Sequence, residues 1–121
     1  MIAAKAASGA VLARDVRTAK TLWARFWGLM GRSRLAQGEA LLIDPCYSVH
    51  TFFMRFPIDI VWVTRQGVVL KVRESVPARR VSGALRAYAV VELAGGAARK
   101  GDLTVGDRLE LRATRIAPVA E

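Results

Sequence analysis

Residues able to do chemistry are concentrated in one part of the sequence. The stretch from His50 to Val63 holds the only histidine, three of the four phenylalanines, and Asp59 among branched apolar residues. Cys46, the only cysteine, lies just before it. Because an imidazole can deprotonate a thiol and stabilise the thiolate, Cys46 and His50 could form a nucleophile and its base.

The same residues also have simpler interpretations. If residues 46–50 form one extended strand, the backbones of Cys46 and His50 stand roughly 13 Å apart, too far for their side chains to meet. A lone cysteine is typical of a small buried hydrophobe. One histidine and one cysteine without paired spacing do not form a metal motif, and Gly95-Gly96 lacks the lysine and hydroxyl spacing of a phosphate-binding loop. The sequence therefore predicts no cofactor and no metal.

Asp59 and Glu92 are the acids with the most apolar surroundings. In a strand through residues 57–63, Ile58, Ile60 and Trp62 share one face and Asp59 lies on the other. If the strands of Asp59 and Glu92 are neighbours, the two acids could share a face and a proton. The favoured interpretation is that each accepts backbone N–H groups or pairs with an arginine. For Asp59, at the entrance of a strand, we predict a structural role first.

The elements that position these residues are mostly short strands. Two β-rich runs flank a turn closed by Gly67 within residues 61–73, which predicts a hairpin. In its second run we expect Val68, Leu70 and Val72 to face inward and Lys71 to face solvent. Further strands are predicted at 10–14, 40–43, 87–93 and 108–112, and a single helical turn at 95–100. Apolar residues at three- and four-residue spacing predict a core-packed helix near residues 18–30.

This order predicts a mainly β (α+β) fold, a compact antiparallel β-sandwich or small barrel with one helix near residues 18–30. A parallel α/β sheet is disfavoured because crossover helices are missing between successive strands. We expect a single domain over residues 10–114, with terminal tails at 1–9 and 115–121. No run approaches the ~18 apolar residues that span a bilayer. Lys5 and Ser8-Gly9 interrupt any signal-peptide core, so we expect a cytoplasmic protein.

The chain has a formal net charge of +9, and the positive residues responsible for it lie on either side of the central stretch. Residues 1–37 carry +6 and residues 65–94 carry +4, whereas residues 38–64 carry −2. Such a surface favours polyanions through counterion release. Because no base-reading motif accompanies it, any nucleic-acid binding is predicted to be weak and non-specific.

Four blocks in one order resemble a prokaryotic family called domain of unknown function 192. The blocks are Arg25-Phe26-Trp27-Gly28-Leu29-Met30-Gly31-Arg32, His50-Thr51-Phe52-Phe53-Met54 with Pro57-Ile58-Asp59, Val91-Glu92-Leu93-Ala94-Gly95-Gly96, and Val105-Gly106-Asp107-Arg108. The resemblance covers roughly residues 10–112 and implies a small β-rich fold without an established activity. It also implies that Met54, Pro57, Asp59, Glu92 and Gly106-Asp107 are signature positions. Many members have a tryptophan and a polar pair where this chain has Phe53 and Arg55-Phe56, so ligand contacts there are expected to differ.

Three functional hypotheses follow. The leading one is a non-enzymatic module that binds a small molecule or protein partner in a pocket near His50, Met54, Asp59 and Glu92. Its predicted ligand contacts are His50, Phe53, Met54, Arg55, Asp59 and Glu92. The second is a hydrolase-like enzyme using His50 with Asp59 or Cys46. The third is a polyanion-binding accessory protein acting through arginines of residues 14–34 and 79–86.

Overall fold

A computed structural model of the chain describes residues 1–19, 37–43, 48–50, 57–77, 81–84 and 86–112. For Ala19, residues 48–50 and residues 81–82 it describes the backbone alone. The described strands are β1 (Ile2–Lys5), β2 (Val11–Ala13), β3 (Asp15–Ala19), β4 (Glu39–Ile43), β5 (Ser48–His50), β6 (Ile58–Val63), β7 (Val69–Val76), β8 (Val81–Gly83), β9 (Ala89–Ala94) and β10 (Leu109–Arg112). One helical turn, α1 (Ala97–Lys100), lies between β9 and β10.

The described strands form two larger sheets and a two-stranded one. The three-stranded sheet has the order β10-β1-β2, the five-stranded sheet β3-β4-β9-β6-β7, and β5 pairs with β8. Among the described pairs, β3–β4 is the parallel one and the rest are antiparallel. Neither larger sheet closes on itself within the described strands, so the fold is sandwich-like and mainly β, as predicted, rather than a barrel.

The centre of the five-stranded sheet is formed by β6 and β9, in which every residue is buried. Strands buried on both faces are typically near-continuous apolar runs. Both strands follow that pattern except at one position each, Asp59 in β6 and Glu92 in β9. These two acids are therefore the polar exceptions in the middle of the sheet.

Two apolar clusters lie on opposite faces of this sheet. The first includes Val61, Val63, Val91 and Leu93 and packs against residues of the three-stranded sheet such as Leu12. The second has Leu41, Ile43, Ile58, Ile60, Trp62, Val76, Val90 and Ala94. Successive side chains of β6 belong to alternate clusters, which confirms the predicted alternation. The side of the sheet that carries the second cluster is called the Trp62 face.

The predicted hairpin is confirmed by the antiparallel pairing of β6 and β7. Gly67 donates to the carbonyl of Thr64 at 2.9 Å and has a φ of 88°, which favours glycine. A Cβ at Gly67 would collide with the carbonyl of Leu109. The turn therefore packs directly on β10 and joins the two larger sheets at one edge, where Val68 and Arg108 form a bridge.

Three predictions about the elements require comment. The residues predicted as an N-terminal tail, 1–9, include β1, which lies between β10 and β2. The helix predicted near residues 18–30 lies outside the described residues except at its start, where Thr18 and Ala19 belong to strand β3. The helical turn predicted at 95–100 is confirmed as α1.

Candidate functional site

Asp59 and Glu92 lie on neighbouring strands but on opposite faces of the sheet. In the β6–β9 register Asp59 pairs with Leu93, and Ile60 pairs with Glu92. Residues paired directly across two strands share a face, and successive residues alternate. Asp59 therefore faces the side of Leu93, whereas Glu92 lies on the Trp62 face. The hypothesis that the two acids share a proton is wrong for this reason.

Asp59 is fully buried and accepts three backbone hydrogen bonds. Its Oδ1 accepts from the N–H groups of Ser75 at 2.7 Å and Gly96 at 3.1 Å. Its Oδ2 accepts from the N–H group of Ala98 at 2.8 Å. One carboxylate thus joins β6 to β7, to the turn after β9 and to the first turn of α1.

The local backbone explains why these N–H groups point at Asp59. The β6–β7 register shifts between Ile58 and Ile60, and Ser75, opposite this shift, has a φ of 48°. Such a bulge turns a backbone N–H away from the regular ladder. Gly96, with a φ of 91°, precedes α1 and has no side chain to cap it. Asp59 accepts from the otherwise unpaired N–H of Ala98 in the helix's first turn.

The prediction that Asp59 accepts backbone N–H groups is confirmed by these three bonds. Because Asp59 is fully buried and both of its oxygens already accept from the protein's own backbone, the described structure leaves it no exposed surface for a ligand. Asp59 lies, moreover, on the face opposite Glu92. The geometry accordingly separates it from Glu92, the other predicted pocket residue whose side chain is described.

Glu92 is in a very different environment. Its flanking register partners are Leu41 and Ile60, and the side chains that share its face are those of the second apolar cluster. Burial of the carboxyl raises its pKa from 4.5 to about 7, because a charged carboxylate loses its hydration there. The side chain is 6% exposed. None of the described residues donates it a hydrogen bond, unlike Asp59.

Lys71 lies at the edge of the Trp62 face, on the outermost strand β7. Lys71 pairs with Trp62 across β6 and β7, and its ammonium lies 4.9 Å from the centre of the Trp62 ring. The same ammonium donates to the carbonyl of Gly83 in β8 at 2.8 Å. Strand β8 pairs with β5, with Val81 opposite His50. The backbone of His50 therefore belongs to a small sheet attached at the edge of the face that carries Glu92.

The remaining predicted site residues lie outside the described part of the chain. Cys46, Phe53, Met54 and Arg55 belong to this group, and for His50 the strand is described but not the side chain. Their convergence with Glu92 stays a prediction. Sequence reasoning missed the contribution of Lys71, which was expected to face solvent, and the register that separates Asp59 from Glu92.

The signature Gly106-Asp107 has a structural explanation. Asp107 accepts from the backbone N–H of Thr104 at 2.8 Å and lies 3.3 Å from the ammonium of Lys5. The Thr104 hydrogen bond, followed by the contacts with Lys5, holds the pKa of Asp107 below its usual value. Gly106 has a φ of 96°. The pair thus forms the turn into β10 rather than part of the Glu92 environment.

No group of three or more His, Cys, Asp or Glu side chains among the described residues is arranged to hold a metal ion. No helix in the described part of the chain is long and apolar enough to cross a membrane.

Comparison with known proteins gives one family and two similar structures. The profile of the family DUF192, described as "Uncharacterized ACR", matches residues 3–111. No curated protein matches the sequence. A crystal structure of a protein of unknown function from Novosphingobium aromaticivorans is similar with a TM-score of 0.72 and 22% identity, covering 92% of this chain and 93% of the other. A candidate transcription regulator from Sinorhizobium meliloti has a TM-score of 0.77 and 22% identity, covering 90% of each chain. At this identity the two structures support the fold alone.

Proposed function

This chain belongs to the DUF192 family, and we propose that it is a non-enzymatic binding domain whose ligand or partner donates a hydrogen bond to Glu92. The observation that carries the proposal is a carboxyl in the middle of an apolar sheet face that no described residue satisfies. A bound donor would supply the hydrogen bond that the described part of the chain does not, and a hydrogen bond to a charged group contributes about 1.5–3 kcal/mol.

The environment of Glu92 favours a ligand with a cationic donor and a small apolar body. A cation next to the carboxyl favours its ionised form and opposes the effect of burial on the pKa. Apolar groups beside the donor would contact the side chains that surround Glu92, such as Leu41 and Ile60. An amine or guanidinium on a short hydrocarbon chain combines these features. The remaining exposure of 6% leaves the carboxyl in contact with solvent.

The proposed site is the predicted pocket without Asp59. Glu92 is its centre, and the sheet of β5 and β8, which contains His50, borders it through the contact of Lys71 with Gly83. Asp59 supports the sheet from the other side instead of contacting the ligand. The hydrolase alternative is weaker, because Asp59, one of its two proposed partners for His50, is bound to three backbone N–H groups.

The proposal is tested by calorimetric titration with n-butylguanidinium and with neutral n-butylurea, which has a similar shape. At pH 8 the cation should bind the parent protein more tightly than the urea. Glu92→Gln should weaken cation binding about tenfold or more, since a hydrogen bond to a charged group contributes about 1.5–3 kcal/mol. Glu74→Gln, at an exposed acid paired with Arg99 at 2.9 Å, is the matched control and should bind like the parent. Equal binding by the parent and Glu92→Gln, or no binding of the cation, would overturn the proposal.

Polyanion binding is a second candidate function, favoured by the net charge of +9. Of the arginines predicted to contribute, Arg14, Arg17 and Arg86 are described and exposed. One of the two similar structures is named as a candidate transcription regulator, but at 22% identity the similarity supports a shared fold and not a shared function. The candidate is tested by titrating random-sequence duplex DNA at low and high salt.

A further inference from the structure

A concave site lies between the two larger sheets, and Glu92 is not among the residues that line it. It is a cavity of about 430 Å³. Its apolar wall includes Leu42, Val63 and Val91, which belong to the cluster on the side opposite the Trp62 face. This volume falls within the roughly 300–1,000 Å³ of typical small-molecule sites.

The cavity is bounded by a well-connected part of the fold. The turn at residues 64–67 and the residues of β10 line it from two sides. Gly67 and Leu109 are joined by a backbone hydrogen bond of 2.9 Å, and Val69 donates to Asp107 at 2.7 Å. These backbone contacts hold the hairpin turn against β10, so the cavity is built into the junction of the sheets.

The rim of the cavity is positively charged. Four charged side chains line it: Arg65, Arg108, Arg112 and Glu110. Glu110 pairs with Arg108 at 2.7 Å and with Arg112 at 2.9 Å. Three cations against one anion leave an excess positive charge at the opening, even after these pairs have formed.

Arg65 is the cation with donors available. Its guanidinium carbon lies 4.5 Å from the centre of the Tyr88 ring, an arrangement typical of cation–π stacking. Among the described residues, no carboxylate pairs with Arg65. This contact keeps the guanidinium beside the Tyr88 ring, which also lines the cavity, while its N–H groups have no described acceptor and can donate to a ligand. A planar guanidinium matches the two oxygens of a carboxylate.

We propose that this cavity binds a small amphipathic carboxylate, with its apolar body against Val63 and Val91 and its carboxylate at Arg65. The inference is independent of the function proposed for Glu92, because the two sites lie on opposite faces of the sheet and select opposite charges. Failure of one therefore leaves the other in place.

The test is an NMR titration of the methyl-labelled protein with octanoate, and with octanamide as the neutral probe. Octanoate should shift the methyl signals of Val63 and Val91 while leaving those of Val76, on the Trp62 face, in place. Octanamide should bind more weakly. Arg65→Gln should reduce octanoate affinity about tenfold, as expected for loss of a charge-assisted hydrogen bond.

Arg14→Gln is the matched control, because Arg14 is exposed and does not line the cavity. It should bind octanoate like the parent protein. The proposal is overturned if octanoate leaves Val63 and Val91 unaffected, or if Arg65→Gln and Arg14→Gln bind it equally well. Both arginines are exposed, so neither substitution is expected to prevent folding.

Discussion

Replacing Glu92 with glutamine should change how the stability of this protein depends on pH. Burial raises the folded-state pKa of Glu92 from 4.5 to about 7. Between these two pH values the folded protein holds a proton that the unfolded chain has released, so stability falls as pH rises. The contribution of the neutral carboxyl is fully present below about pH 4.5 and is lost as pH rises through about 7.

The magnitude follows from the size of the pKa change. One pKa unit corresponds to about 1.4 kcal/mol, so the full loss is about 3 kcal/mol, most of which falls between pH 5 and pH 8. Glutamine at position 92 does not titrate, and any cost of burying its amide is independent of pH. The difference in unfolding free energy between the parent and Glu92→Gln should therefore shift by about 2–3 kcal/mol in favour of the variant across this range.

Urea denaturation of both proteins at pH 5, 6, 7 and 8 measures this difference. Other titrating groups are common to the two proteins, so their contributions cancel in the comparison. Stability curves that run parallel from pH 5 to pH 8 would refute the reasoning, because they would show that position 92 releases no proton over this interval.

Three further predictions concern the backbone and the surface. Asp59→Ala should lower the unfolding free energy, measured by urea denaturation, by about 3 kcal/mol, because three N–H donors lose their acceptor. Asp59→Asn should cost less. Urea denaturation of Asp59→Ala that matches the parent protein would contradict this prediction. Ser75→Gly, at a φ of 48°, should be neutral or stabilise by up to about 1 kcal/mol, whereas Gly96→Ala, at a φ of 91°, should destabilise by about 1–2 kcal/mol in the same assay. Duplex DNA should bind weakly and without sequence preference at 50 mM salt by fluorescence anisotropy and be released by roughly 200 mM salt; sequence-selective binding that survives the higher salt would contradict it.

Much of the sheet was predictable because its signals are local. The alternation in β6 correctly separates Ile58, Ile60 and Trp62 from Val61 and Val63. The hairpin turn follows from a glycine between two β-branched runs. The role of Asp59 follows from its position at the strand entrance, where backbone N–H groups lack ladder partners.

The register of the sheet was not predictable in the same way. The hairpin was expected to turn Val68, Leu70 and Val72 inward, but the shift between Trp62 and Val63 pairs Val63 with Val69. Val69 is buried in the core as a result, Val72 packs against it as predicted, and Leu70 is half-buried. A bulge changes which residues share a face, and the hydrophobic pattern alone does not reveal one.

Long-range pairing explains the other differences. Strand β1 is short and alanine-rich, and it forms because β10, from the far end of the chain, pairs with it. The opposite faces of Asp59 and Glu92 likewise depend on the β6–β9 register, which joins two strands that are separated in the chain by β7 and β8. The sequence could therefore identify Asp59 and Glu92 as the candidate site residues. Only the structure shows that the two acids lie on opposite faces of the sheet.

The central claim, that a cationic donor binds the Glu92 carboxyl, is tested most directly by NMR titration of that carboxyl in ¹³C-labelled protein. Without ligand its pKa should be about 7. A ligand that binds the ionised carboxylate tenfold more tightly than the neutral carboxyl lowers the pKa by one unit at saturation. With saturating n-butylguanidinium we expect a decrease in the Glu92 pKa of at least this size. A pKa that stays in place while n-butylguanidinium saturates the protein would contradict the account.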